Sequence, residues 1–315
     1  MTSRVLELYC GIGGFAAAAA GTSLRVAAAL DQSPTALSVY RLNFPGHGAR
    51  QVNLETITSR ELESFRADFW WMSPPCQPYT VRGARRDLKD PRALSFIRLM
   101  EILTQMPEET LPSHLALENV AGFGESQARR RLVETLTGRG YRFQETFLCP
   151  MDLGIPMRRP RYYLAASRKR LVPFNHVTVK KVRPLSRYLV ATDGGAVPTG
   201  LKVPEEVLQR FGPGLRILAA SDSTTYATCF TSGYGRSTMH SGSYLRVNGG
   251  VRRFSPEEIL RLLHFPQGFR FPEGMPLRKK WHLAGNSISV AAVREVLEAF
   301  PELAEGKNES GVPVS

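Results

Sequence analysis

The first thirty-one residues permit few folds. Val5-Leu6-Glu7-Leu8-Tyr9 has the length and apolar content of a short strand, Cys10-Gly11-Ile12-Gly13-Gly14 is a glycine turn, and an alanine-rich helix starts at Phe15 and runs to Ala20. A second strand over 24–30 ends in Asp31, 20 residues past Gly11. A strand that empties through glycines into a helix and returns as a strand opens a nucleotide-binding α/β unit, with an acid placed to reach ribose hydroxyls. The spacing is G-x-G-G, not the dinucleotide G-x-G-x-x-G, so an adenosyl ligand without phosphates fits better than a pyrophosphate. A glycine turn alone can be merely structural. Asp31 turns the reading toward a ligand.

The alternation continues to about residue 167. Strands are expected over 67–72, 114–117, 142–148 and 162–166, with helices over 93–103 and 127–136 between them. The pattern predicts an α/β, Rossmann-like, doubly wound mixed sheet with a second, smaller domain. The apolar stretch Phe69-Trp70-Trp71-Met72 runs into Ser73-Pro74-Pro75-Cys76-Gln77-Pro78-Tyr79, where three prolines forbid a continued strand or a helix before position 78. The thiol of Cys76 is therefore held in a stiff loop at a strand end, as a nucleophile would be, although a lone cysteine there can also pack as a small hydrophobe. The triplet Glu118-Asn119-Val120 is expected just past another strand end. Glu118 is either a carboxylate in the same cleft or an acid favoured by a helix N-terminus.

Composition narrows the partner. Lys and Arg number 41 against 28 Asp and Glu, a net +13 that favours a polyanion. Ten basic residues and no acid fall between 158 and 187, a density suited to a phosphate backbone unless it is only a solvated face. Residues 192–200 read as a loop, and the Thr-, Tyr-, Ser- and Gly-rich 224–247 as short strands of the smaller domain. Ser255-Pro256-Glu257-Glu258 is a capping box opening a helix through Leu263, and the last eleven residues are expected to fray. Four scattered cysteines without CxxC pairs give no metal site and suggest a reducing compartment. No apolar run approaches the ~20 residues of a membrane span. The expectation is a cytoplasmic protein, its oligomeric state open with a monomer favoured.

Taken together, these pieces resemble the cytosine-5 methyltransferase superfamily, in the family's order and over nearly the whole chain. Glu7 to Phe15 looks like its S-adenosylmethionine loop, Pro75-Cys76-Gln77 its nucleophile motif, Glu118-Asn119-Val120 its base-holding glutamate, Arg159-x-Arg161 its paired arginines, and Gly285-Asn286-Ser287 the late segment that returns to the cofactor. Leu153-Gly154-Ile155-Pro156 and Cys229-Phe230-Thr231-Ser232-Gly233-Tyr234-Gly235, with the short small domain, are similar to the tRNA-aspartate methyltransferase branch. Met157 and Asn53 depart from the family, standing where relatives carry a polar residue and an acid.

The resemblance implies a class I fold. Residues 1–170 would form the S-adenosylmethionine-binding catalytic domain, completed by 277–315, and 171–276 a target-recognition domain and hinge. It implies S-adenosylmethionine contacts at Tyr9, Gly11, Gly13, Gly14, Phe15, Asp31, Asn53, Pro75, Asn286 and Ser287. Substrate contacts are implied at Gln77, Arg82, Asn119, Lys180, Lys181, Cys229 and Thr231, and catalytic roles at Cys76, Glu118, Arg159 and Arg161. Carbon 5 of cytosine is a poor nucleophile until a thiolate adds to carbon 6. Cys76 would supply that thiolate, Glu118 would hold ring nitrogen 3 and the amine, and Arg161 would donate to the base oxygen. The expected substrate is an anticodon-loop cytosine of tRNA. The alternatives are duplex DNA, as in restriction-modification enzymes, and a catalytically silent nucleic-acid-binding homologue.

Overall fold

The computed structural model describes residues 2–80, 86–174, 179–190 and 197–304. The glycine-turn unit forms as its sequence dictates: β1 (Ser3–Leu8), α1 (Gly14–Ala19), β2 (Leu24–Asp31), followed by α2 (Pro34–Asn43). Ser33 caps α2 by accepting from the Ala36 N–H, with Pro34 at the first helical position. Then come β3 (Ala49–Gln51), α3 (Ser59–Ser64), β4 (Phe69–Met72), α4 (Leu94–Gln105), β5 (His114–Val120), α5 (Gln127–Gly138) and β6 (Arg142–Leu148). A short β7 (Met157–Arg158) precedes β8 (Arg161–Ser167).

Seven of these strands make one sheet in the order β3-β2-β1-β4-β5-β8-β6. The first five run parallel, and β8 is antiparallel to both β5 and β6. The chain winds outward from β1 to β3, then restarts at β4 on β1's other side. That reversal opens a crevice at the carboxyl ends of β1 and β4, the place where such sheets bind ligands.

β5 is longer than its apolar stretch suggests. Pairing with β4 stops at Leu117, but pairing with β8 continues through Glu118↔Tyr163, Asn119↔Tyr162 and Val120↔Arg161. Glu118 and Asn119 are thus strand residues, not residues past a strand end, and Glu118 is not a helix N-terminal acid. The antiparallel partner extends the strand beyond its parallel neighbour, leaving one side free to face the crevice.

After β8 come α6 (Glu205–Phe211), β9 (Ile217–Ala219), β10 (Ala227–Thr228), β11 (Tyr244–Val247) and β12 (Gly250–Arg253). β12-β11-β9 form a separate small sheet, while β10 pairs with β7. The expected capping box holds: Ser255 and Glu258 bond reciprocally at the start of α7 (Pro256–Leu262). Then α8 (Leu277–Asn286), α9 (Val290–Leu297) and α10 (Pro301–Ala304) return to the large sheet, where the Arg294 side chain of α9 donates to the Ala17 carbonyl of α1. One apolar cluster is continuous from Phe15 and Trp71 on this face of the sheet through α9 to Phe230, Tyr234 and Trp281 under the small sheet. A second cluster, with Phe96, Phe123 and Tyr162, lies on the opposite face. Among the described residues no helix is long and apolar enough to cross a membrane, and no His/Cys/Asp/Glu group could hold a metal ion.

Candidate active site

A cavity of about 700 Å³ opens at the switch point, lined from the carboxyl ends of β1, β2, β4 and β5, the start of β8, the segment after β10, and α8. Its first wall is the glycine turn. Gly13 has φ 93°, and a Cβ there would come within 2.5 Å of the Phe44 ring, so only glycine lets the turn close. Asp31 closes the same loop: its Oδ2 accepts from the Gly11 N–H at 2.8 Å and its Oδ1 from the Ser33 N–H at 2.8 Å. Burial raises the Asp31 pKa, and those backbone bonds oppose the rise. Beneath it, Glu7 is buried inside β1 and accepts from the Tyr40 hydroxyl at 2.7 Å, with its pKa pushed up to about 8 by burial.

The thiol loop forms the second wall. Prolines 74 and 75 carry the chain off β4, and a single 3-10 turn, Gln77–Tyr79, follows with Cys76 at its cap. This turn begins one residue earlier than the prolines suggest. The Asn119 Nδ2 donates to the Pro74 carbonyl at 3.1 Å and the Trp71 Nε1 to the Ser73 hydroxyl at 3.0 Å, so the loop is fastened to β5 and β4. Burial pushes the Cys76 pKa up, and Arg161 pulls it down, while Glu118 adds to the rise and Arg159 opposes it. Glu118 is likewise raised by burial and pulled back by Arg161, whose Nε lies 3.3 Å from its Oε1.

The two arginines have different tasks. Arg159 is 4% exposed; its Nη1 donates to the Phe230 carbonyl (2.8 Å) and its Nη2 to the carbonyls of Gly285 (3.1 Å) and Ser287 (2.5 Å). It ties β8's approach to the segment after β10 and to the end of α8. Close approach is possible because residue 285 is glycine: a Cβ there would sit 2.3 Å from the Thr231 carbonyl oxygen. Arg161 faces Glu118 instead. Between them lies Cys229, 3.1 Å from Arg159 Nη1 and 3.7 Å from Arg161 Nη2. Burial raises the Cys229 pKa, but the two guanidinium groups more than offset it, and the net shift is downward. The pairing Ala227↔Met157 and Thr228↔Arg158 brings Cys229 there across some seventy residues of chain. Met157, the departure from the family motif, is fully buried.

The cavity brings together Tyr9, Gly11, Gly14, Asp31, Pro75, Cys76, Gln77, Glu118, Arg159, Arg161, Cys229, Thr231, Asn286 and Ser287. Other expected residues lie elsewhere. Phe15 is fully buried and stacks on Trp71 at 5.0 Å, because α1 turns that side chain onto the sheet; it supports the glycine turn from behind. Gly13 does not line the cavity, its place being behind the turn. Asn53 caps its own turn by accepting from the Glu55 N–H at 3.0 Å, and Leu54 and Glu55 line the cavity in its stead. Asn119 is buried, its Nδ2 donates to the Pro74 carbonyl and its Oδ1 accepts from the Val120 N–H, so it positions the thiol loop. Arg82 lies outside the described residues.

Lys180 and Lys181 are exposed and do not line the cavity. The basic stretch is compensated in part. Arg168 pairs with Glu108, Lys169 with Glu302 and Lys180 with Glu295, acids supplied by other elements. Arg159 and Arg161 turn inward. The cavity also takes residues that local patterns did not single out. Arg92 is held by Asp90 through bonds of 2.8 and 2.7 Å, and His282 sits between the Ser232 carbonyl and Asn286, each at 3.2 Å. An acid inside an apolar strand was the available signal for Glu7; Arg92 and His282 carried none.

Comparison with known proteins places the chain among relatives of one kind. The profile of the C-5 cytosine-specific DNA methylases matches residues 3–192. The tRNA (cytosine(38)-C(5))-methyltransferase of Schizosaccharomyces pombe is 31% identical, covering 95% of this chain and 97% of that protein. A DNA (cytosine-5)-methyltransferase of Dictyostelium discoideum is 30% identical over 94% of each chain. Among solved structures, an Entamoeba histolytica methyltransferase superposes with a TM-score of 0.84 at 27% identity, covering 95% of this chain and 98% of that one.

Proposed function

Because the chain belongs to the C-5 cytosine-specific methylase family, we propose that this cytosine-5 methyltransferase acts on a tRNA cytosine, using S-adenosylmethionine and a covalent adduct at Cys76. The observation that carries the reading is the convergence of a loop-held thiol with the Arg161–Glu118 pair in one cavity.

The cofactor end of the cavity has a suitable donor set. Asp31 and Ser33 suit sugar hydroxyls, Ile12 and Leu54 an apolar ring, and Asn286 with Ser287 the polar groups of an amino acid. The lining basic groups are Arg92, Arg159, Arg161 and His282; Arg161 pairs with Glu118, and Arg159 is taken up by the carbonyls of Phe230, Gly285 and Ser287. Tyr9, Gly11, Gly14, Asp31, Pro75, Asn286 and Ser287 are the residues that would hold S-adenosylmethionine. When bound, it supplies an electrophilic methyl group for carbon 5.

The chain's own residues do the rest. Cys76 gives its proton to water and its sulfur bonds carbon 6 of the flipped cytosine, moving an electron pair toward ring nitrogen 3. Glu118, whose raised pKa favours the protonated form, gives that nitrogen a proton and accepts from the exocyclic amine. Carbon 5 becomes nucleophilic. Once it has been substituted and a water molecule has taken up its own proton, nitrogen 3 returns the proton to Glu118 and the thiolate is expelled. Arg161 holds Glu118 in place, and its charge is the main influence that opposes the rise of the Cys76 pKa. Arg159 acts by position, clamping 171–276 to a catalytic unit made of 1–170 and 277–315, of which 305–315 lie outside the described residues.

RNA is favoured over duplex DNA because only about sixty residues separate β8 from β10, little for reading base edges in a major groove. The full-length match to a tRNA enzyme points the same way. The test offers purified protein labelled S-adenosylmethionine with tRNA, and separately with duplex DNA. Label in tRNA carbon 5 is expected; label in DNA alone overturns the RNA reading and leaves the chemistry standing.

A further inference from the structure

His282 lines the cavity from α8 and has no part in the chemistry above, yet its two ring contacts fix where its proton sits. Nδ1 lies 3.2 Å from the Ser232 carbonyl oxygen, on the segment after β10, and Nε2 lies 3.2 Å from the Asn286 Nδ2, one turn further along α8. A carbonyl oxygen can only accept, so Nδ1 carries the hydrogen. In the neutral ring Nε2 is then an acceptor, and an amide nitrogen can only donate to it. Both contacts require the same tautomer.

That tautomer decides how Asn286 stands. Asn286 ends α8 and is exposed, and a half-turn about its last side-chain bond would exchange the amide's donor and acceptor. An amide facing only water samples both orientations. The bond from Nδ2 to His282 selects one of them, and it leaves Oδ1 on the opposite side of the amide as the acceptor that this residue brings to the cavity wall. The backbone on either side is already fixed, because Arg159 donates to the carbonyls of Gly285 and Ser287. The orientation of the amide is the variable that His282 settles.

We propose that His282 is a positioning residue that holds the Asn286 amide with its oxygen offered to the α-ammonium of the cofactor's amino-acid end. An ammonium only donates, so the reversed amide would meet it with N–H groups and lose the bond. This rests on the cofactor reading above, which gives Asn286 to the amino-acid end.

The test titrates wild type, His282→Gln, His282→Lys and His282→Leu by calorimetry with S-adenosylhomocysteine, which keeps the amino-acid end, and with methylthioadenosine, which lacks it. Glutamine has a donor and an acceptor and can reproduce both contacts. Lysine only donates and calls the Asn286 oxygen to itself, while leucine leaves the amide unheld. Expected is an S-adenosylhomocysteine affinity lowered about two- to tenfold in the Lys and Leu variants and near wild type in Gln, with methylthioadenosine affinity unchanged in all three. Wild-type affinity for S-adenosylhomocysteine in the Lys variant overturns the positioning role, and so does a parallel loss for methylthioadenosine, which marks a general loosening of the wall. Wild-type protein that binds S-adenosylhomocysteine no more tightly than methylthioadenosine overturns the placing of the amino-acid end at Asn286, and the role of His282 with it.

Discussion

Replacing Arg159 by lysine separates its positioning task from its charge. The guanidinium reaches three buried carbonyls at once, those of Phe230, Gly285 and Ser287. A lysine ammonium keeps the positive charge but not the planar fork, and satisfies one of them. Two charge-assisted bonds are lost, each worth about 1.5–3 kcal/mol, which predicts a stability loss of about 3–6 kcal/mol. At about 2–4 °C per kcal/mol for a chain of this order of size, the melting temperature falls by about 6 °C or more. Cofactor affinity falls as well, because Gly285 and Ser287 flank Asn286 at the cavity wall. Thermal unfolding and calorimetric titration with S-adenosylhomocysteine read the two effects. A melting point within about 3 °C of wild type, with unchanged affinity, would falsify the clamp.

Cys76→Ala abolishes methyl transfer while cofactor binding persists, and wild-type protein forms a denaturant-resistant adduct with RNA containing 5-fluorocytosine, which lacks the proton needed for release; gel analysis after denaturation shows both. Asn119→Ala unfastens the thiol loop from β5 and leaves the Pro74 carbonyl unpaired, so kcat falls about tenfold or more while cofactor affinity holds; steady-state kinetics with a separate titration decides it. Glu7 has its folded pKa raised from 4.5 to about 8, so the folded state holds a proton that the unfolded state gives up. Its contribution is fully present below about 4.5 and is lost as pH climbs to 8. Wild type therefore loses stability over that window relative to Glu7→Gln, by at most about 4–5 kcal/mol; parallel denaturant curves at pH 5 and pH 8 in the two proteins that differ by the same amount refute it.

Much of this was legible in the chain. The Gly11–Gly14 turn, Asp31 at the end of β2, the proline-held Cys76 and the capping box at Ser255 depend on neighbours a few residues away, through backbone angles that glycine and proline impose and caps that serine supplies. Such causes are local, so sequence alone determines them. The length of β5 was not local: its last three residues are strand only because β8 pairs with them after β4 has ended, and that carried Glu118 and Asn119 from an expected loop into a sheet. Asn53, Asn119 and Phe15 looked like ligand contacts by position, yet each is spent on a neighbour that the motif does not name. Three cations of the charge run at 158–187 looked uncompensated because their partners, Glu108, Glu295 and Glu302, lie far away in sequence. Cys229 is the clearest case. Its segment could be read as a motif, but its thiol gains its character from Arg159 and Arg161, which meet it only through the β7–β10 pairing. Electrostatic environment depends on distances in space, and those are set when distant segments of the chain pack together.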